Sequence, residues 1–173
     1  MSKITFVLGG ARSGKSRFAL EIAKKYNSKK TAFVATSEAL DKEMGERIAI
    51  HKKTRPKEWK TFEEPILVSL ILRKIVNKYE VIILDCLTLF VSNLLLKDYK
   101  ETEIEEEINK ILSIFKSTNV KVIIVSNEVG LGIVPENKLA REFRDIAGRV
   151  NQIVAKKSND VHFMISGIPW RIK

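Results

Sequence analysis

The tightest constraint on this chain lies near its amino terminus. There an apolar run, Ile4 to Leu8, leads directly into Gly9-Gly10-Ala11-Arg12-Ser13-Gly14-Lys15-Ser16. The string fits G-x-x-x-x-G-K-[ST] at every position, the pattern of a phosphate-cradling loop between a strand and a helix. Backbone N–H groups must turn inward around phosphate oxygens, and glycines permit that path. The helix that follows points its positive end at the anion. In such a loop Lys15 reaches the outer phosphates and the Ser16 hydroxyl can ligate magnesium. A glycine-rich turn without a ligand is the plain alternative.

Downstream, the chain alternates between two hydrophobic periods. Apolar runs at Thr31–Ala35, Val81–Leu84, Val120–Val125 and Val161–Ser166 read as buried parallel strands, like Ile4–Leu8. Between them lie segments with helical spacing. These run from Phe18 to Tyr26, from Asp41 to near Arg55-Pro56, from about Pro65 through Leu67, Leu70, Ile71 and Ile75, from Ile104 to Phe115, and from Leu139 to Val154. Strand and helix in alternation predict an α/β fold, a mostly parallel sheet with helices on both faces. No repeat, low-complexity tract or linker interrupts residues 1–173, so a single nucleotide-binding domain is expected. Ligands bind such sheets at the carboxyl ends of the strands. The polar residues gather there: Gly9 to Ser16, Thr36-Ser37, Asp85 and Asn127-Glu128.

Composition narrows the function classes. Apolar residues make up 45% and charged residues 30% of the 173, as in ordinary globular proteins. No apolar run approaches the roughly 20 residues of a membrane-spanning helix. The amino terminus reads as a strand, not a signal peptide, so a cytoplasmic location is the default expectation. Cys86 is the only cysteine, which excludes an intrachain disulfide and a cysteine-based metal cluster; beside an apolar strand it reads as a small buried hydrophobe. The net charge of +10 raises the question of a polyanionic partner. The lysines are dispersed in pairs without interleaved aromatics, so they read as solvated surface, part of which can serve triphosphate substrates, and no nucleic-acid partner is expected.

Two further features carry chemistry. Asp85 closes an apolar strand, the position from which a carboxylate holds magnesium beside a phosphate-binding loop; capping the next helix is the other role for an acid there. Arg47, His51 and Arg55 are spaced four apart, with Lys52 and Lys53 between, so they share a face if the helix reaches Arg55. Cationic neighbours favour a neutral imidazole, which can attack an activated phosphorus while arginines hold the phosphate charge. From spacing alone, an exposed histidine in a basic helix is the simpler reading. Glu128, at another strand end, can position a substrate or cap the next turn.

A longer pattern bears on that choice. The phosphate loop is followed by Ala35-Thr36-Ser37, then Arg47-Ile48-x-x-His51-Lys52-x-x-Arg55-Pro56, Leu84-Asp85-Cys86-Leu87-Thr88 and Asn93-Leu94-Leu95. Ser126-Asn127-Glu128-Val129-Gly130, Gly132-Ile133-Val134-Pro135-Glu136-Asn137, Arg141-x-Phe143-Arg144-Asp145-Ile146-Ala147-Gly148-Arg149-Val150-Asn151-Gln152 and Ser166-Gly167-Ile168 complete it. In this order the strings resemble the bifunctional adenosylcobinamide kinase and adenosylcobinamide-phosphate guanylyltransferase family over nearly the whole chain. The resemblance implies a RecA-like P-loop NTPase fold. It implies phosphorylation of adenosylcobinamide with ATP or GTP, then transfer of GMP from GTP to adenosylcobinamide phosphate through a guanylylated histidine, matched here by His51. Lys15 is the other catalytic residue. Nucleotide binding carries over to Gly9 through Ser16, Ala35, Thr36, Ser37, Lys52, Lys53, Thr54, Arg55, Glu63 and Asp85, with Mg2+ on Ser16 and Asp85. A homotrimer with sites near subunit boundaries is likewise implied. A P-loop kinase for another small metabolite and a RecA-like NTPase that binds nucleic acid are the competing readings.

Overall fold

The structure, a computed structural model, describes residues 3–26, 28–39 and 42–173, and the side chain of Arg47 is outside that description. Seven strands form one sheet: β1 (Lys3–Gly9), β2 (Thr31–Ala35), β3 (Lys60–Glu63), β4 (Val81–Asp85), β5 (Lys121–Val125), β6 (Asp160–Ile165) and β7 (Ile168–Arg171). Their spatial order is β3-β2-β4-β5-β1-β6-β7, parallel throughout except for the antiparallel β6–β7 hairpin. Among the described residues six helices connect them: α1 (Lys15–Lys25), α2 (Lys42–Lys53), α3 (Val68–Ile75), α4 (Leu87–Leu95), α5 (Glu101–Lys116) and α6 (Lys138–Lys157).

Both faces of the sheet are covered, which is why the central strands are apolar without alternation. Phe6, Val34, Leu84 and Ile124 pack into a layer with α3, α4, α5 and α6. Their sequence neighbours Val7, Phe33, Ile83 and Ile123 point the other way, against Ala19, Leu20 and Ala23 of α1 and against Trp59.

Several elements differ from the sequence expectation. The third helix begins at Val68, not near Pro65, because the Glu64 carboxylate takes the N–H groups of Ile66 and Leu67 and stabilises a turn ahead of it. Asp41, the expected start of the second helix, lies outside the described residues. β3 and β7 are short edge strands without an apolar run, and Pro169 is tolerated in β7 because an edge strand has an unpaired side. The α4 segment, Leu-Thr-Leu-Phe-Val-Ser-Asn-Leu-Leu, has no polar face for a periodicity to reveal, since six of its nine residues are buried.

Asn93 on α4 ties the carboxyl ends of the strands together. Its amide donates to Thr36 O at 2.7 Å and to Pro65 O at 3.1 Å. Thr36, fully buried, donates its hydroxyl to Cys86 O at 2.7 Å and accepts from Cys86 N at 3.0 Å. β2, β4 and the β3–α3 loop are thereby joined where they leave the sheet. Asn93→Ala leaves two carbonyls without their donor and is expected to lower stability by about 1–3 kcal/mol. The check is a lower urea midpoint with an unchanged slope; an unchanged midpoint would show that water replaces the amide at no cost.

Candidate active site

β1 delivers the chain into the phosphate loop at a point where a side chain has no room. A Cβ on Gly9 (φ 151°) would lie 2.7 Å from Met164 O and 2.7 Å from Ser13 Oγ. Gly14, at φ 93°, makes the left-handed turn into α1, and Phe18 N bonds back to Gly14 O at 3.0 Å. The loop is braced from outside by the β6–β7 turn, where Gly167 N donates to Ser13 O at 3.1 Å. The N–H groups of the first turn of α1 lack helical partners and face the loop, so the site is preset for an anion.

A cleft of about 590 Å³ opens over this loop, lined by residues 11–17, Ser37, Met44, Ile48, His51, Arg55, Asp85, Cys86, Leu89 and Asn127. Met44, Ile48 and His51 recur at the helical repeat along α2, so the apolar stripe of α2 forms a cleft wall and not part of a core. Among the ionised groups, Arg12, Lys15, Arg17 and Arg55 face a single carboxylate, Asp85. Part of the chain's positive charge is therefore concentrated where a polyphosphate would lie.

Burial governs the charges here. Lys15 is buried, its Nζ donates to Gly10 O at 2.5 Å, and desolvation lowers its pKa against the opposing pull of nearby Asp85. Asp85 is half-buried as a residue, but its carboxylate is desolvated. Burial raises its pKa despite a hydrogen bond from Ser16 and the nearby Arg55 and Lys15. The Arg55 guanidinium lies 3.7 Å from the centre of the Phe33 ring and donates to Thr61 Oγ1 at 3.3 Å; burial lowers its pKa. Among the described residues, Arg55 Nε and Ser13 Oγ are buried without a hydrogen-bond partner, two donors left for a ligand at an anion site.

The residues expected from sequence divide into two groups. Ala11 to Ser16, Ser37, His51, Arg55 and Asp85 converge on the cleft. Gly9, Gly10, Ala35, Thr36, Lys52, Lys53, Thr54 and Glu63 do not line it. The Thr36 hydroxyl is committed to Cys86, Lys52 pairs with Glu63, and Thr54 donates to His51 O. The capping alternative for Asp85 falls away, since the cap of α4 is Cys86, whose Sγ accepts from Leu89 N at 3.4 Å. The Glu128 carboxylate accepts from Gly130 N at 2.9 Å, the turn-capping arrangement, and lies outside the cleft lining. Arg17, Leu89 and Asn127 line the cleft without a role having been assigned from sequence. The signal for Asn127 was its place at a strand end.

Two measurements follow from this geometry. Folding raises the Asp85 pKa, so the folded protein holds that proton more tightly than the unfolded chain does. The associated stability is complete below the ordinary carboxylate range of about 4 and is lost as pH rises through the folded value. Asp85→Asn is therefore expected to raise the melting temperature of the nucleotide-free protein at about pH 7.5, with the gain shrinking toward pH 4. A variant less stable at every pH would show that the carboxylate's partners outweigh its burial. Gly167→Ala sets a Cβ 3.3 Å from the Arg17 guanidinium at φ 85° and is expected to weaken nucleotide affinity several-fold through the loop it braces. Equilibrium titration with a labelled nucleotide measures this directly.

Comparison with known proteins agrees with these features. Residues 5–172 match the family described as cobinamide kinase / cobinamide phosphate guanyltransferase. The bifunctional adenosylcobalamin biosynthesis protein CobU of Escherichia coli is 42% identical, covering 96% of this chain and 98% of that protein. The bifunctional adenosylcobalamin biosynthesis protein CobP of Pseudomonas aeruginosa is 40% identical, covering 96% and 95%. The Salmonella typhimurium CobU protein is 41% identical over 96% and 98%. Among solved structures, the RadB recombinase superposes with a TM-score of 0.54 at 16% identity, over 93% of this chain and 73% of that one, a likeness of fold alone and a RecA-like one. With a match over nearly its whole length and a phosphate loop, Asp85 and His51 gathered on one cleft, the chain belongs to the cobinamide kinase / cobinamide phosphate guanyltransferase family.

Proposed function

We propose that this chain, acting as a single domain over residues 1–173, phosphorylates adenosylcobinamide with ATP or GTP. It then transfers GMP from GTP to adenosylcobinamide phosphate, giving adenosylcobinamide-GDP and pyrophosphate. The observation that carries the reading is one cleft holding both the phosphate loop and, on the facing helix, the imidazole of His51. A kinase alone has no use for a histidine facing its phosphate site; a nucleotidyl transferase that works through a covalent intermediate does.

In the kinase step the loop amides and Lys15 hold the outer phosphates while the substrate hydroxyl attacks the terminal phosphorus in line, with the nucleoside diphosphate leaving. In the transfer step a ring nitrogen of His51 attacks the α-phosphorus of GTP. The P–N bond forms as the bond to pyrophosphate breaks, and a phosphate oxygen of adenosylcobinamide phosphate then displaces the histidine. Arg55, whose Nε is buried without a partner among the described residues, would hold charge on the transferred group. The Ser16 hydroxyl and the Asp85 carboxylate form an oxygen-only donor pair joined by a hydrogen bond, which suits a hard cation. No group of three or more His, Cys, Asp or Glu able to cage a metal occurs among the described residues. A cation shared with substrate phosphates fits that donor set. Magnesium bound there would offset the charge that develops on the phosphates. A homotrimer in the cytoplasm completes the reading, with no nucleic-acid partner. No helix among the described residues is long and apolar enough to cross a membrane.

The test is covalent labelling. Native protein incubated with magnesium and GTP carrying label at the α-phosphorus, without cobinamide, is expected to retain label after denaturation, stable in base and labile in acid. His51→Ala is expected to retain none and to lose guanylyl transfer by about three orders of magnitude or more. Absence of label on a native protein that still binds GTP would remove His51 from the chemistry and leave a kinase.

A further inference from the structure

β5 lies between β1 and β4, with Val125 level with Val7 on one side and with Asp85 on the other. Its carboxyl end therefore opens between the phosphate loop and Asp85. Ser126 N and Glu128 N continue the ladder onto Val7 O and Gly9 O. Asn127, between them, lines the cleft.

The backbone of Asn127 is held by a closed ring of hydrogen bonds. Asn127 N–H donates to Thr88 Oγ1 at 2.6 Å, and the Thr88 and Ser126 hydroxyls are 2.9 Å apart. Ser126 Oγ donates to Asn151 Oδ1 at 2.7 Å, and Asn151 Nδ2 donates to Asn127 O at 3.1 Å. With Thr88 donating to Ser126, every hydroxyl proton in the ring has an acceptor. Thr88, Ser126 and Asn151 are buried and come from α4, the end of β5 and α6. Buried polar groups are costly unless satisfied, and satisfied networks rigidify what they hold. Here three of them fix a single residue. The side-chain amide of that residue makes no hydrogen bond among the described residues.

We propose that Asn127 is a specificity-determining residue of the nucleotide site, its amide donating a hydrogen bond to the terminal phosphate of a bound nucleoside triphosphate. The inference rests on the nucleotide-binding reading above. In a loop of this kind the lysine reaches the outermost phosphate, and here Lys15 and Asp85 line the cleft beside the end of β5, where Asn127 lines it too. A neutral donor suits this place. Its attraction acts over hydrogen-bond distance only, so it senses whether the last phosphate is present, whereas the surrounding cations attract triphosphate and diphosphate alike.

Equilibrium binding on the full chain in magnesium buffer tests this, with GDP and a non-hydrolysable GTP analogue as probes. Asn127→Ala is expected to weaken the triphosphate analogue about tenfold, the loss of one hydrogen bond to a charged oxygen, and to leave GDP within about twofold. Asn127→Asp, of the same shape, is expected to weaken the analogue further, because a carboxylate then faces the phosphate. Equal weakening of both probes, or no change with either, would overturn the assignment. A native protein that binds neither probe would overturn the nucleotide reading itself, an outcome distinct from selective failure at Asn127.

Discussion

Parallel strands share a direction, so whatever follows each of them emerges at one edge of the sheet. That constraint positions every group in the cleft. The register sets Val7, Val125 and Asp85 level across β1, β5 and β4. The phosphate loop beyond β1 and the carboxylate ending β4 then stand one strand apart, close enough for the Ser16 hydroxyl to reach Asp85. A slip of one residue in either pairing would turn Asp85 to the opposite face. The bonds of Ser126 N to Val7 O and Glu128 N to Gly9 O beyond one pairing, and of Lys121 N to Glu80 O at the start of the other, hold both registers.

The same edge concentrates charges that folding does not favour. Lys15, Arg55 and Asp85 are each shifted by desolvation toward their neutral forms. Ser13 Oγ and Arg55 Nε are buried without partners among the described residues. A core built for stability alone would satisfy or exclude these groups. Their retention beside a preset anion site is what a protein stabilised by its ligand looks like, because anything that binds only the folded state deepens its free-energy well.

Much of this was legible in the sequence because two strong signals coincide there. Strands buried on both faces give continuous apolar runs, and β1, β2, β4, β5 and β6 were each found that way. The glycines of the phosphate loop answer to steric demands that no other residue meets at Gly9 and Gly14. The harder elements are those in which tertiary context replaces local pattern. β3 and β7 are polar or proline-bearing edge strands held by one neighbour each. α4 is so enclosed that its amphipathic signature vanishes. The site shows the same division. Lys15 and Asp85 are announced by their places in and beside the phosphate loop, whereas His51 reads from spacing as an exposed histidine and is singled out only by the family resemblance. Asn127 is an ordinary amide whose setting exists only once α4, β5 and α6 have come together. Thr36 reads as a site residue in sequence, yet folding has already engaged its hydroxyl.

Helix α2 shows the reverse of this dependence on the core. None of its described residues is buried, and its apolar stripe, Met44 and Ile48, looks across the cleft instead of onto the sheet. A helix of this length gains little stability from hydrogen bonding alone. A nucleotide seated between α2 and the phosphate loop would cover that stripe on one side and meet Arg55 on the other. In the language of packing, a bound nucleotide would be a further layer laid over α2, and the helix that carries His51 would gain buried surface each time the cleft is filled.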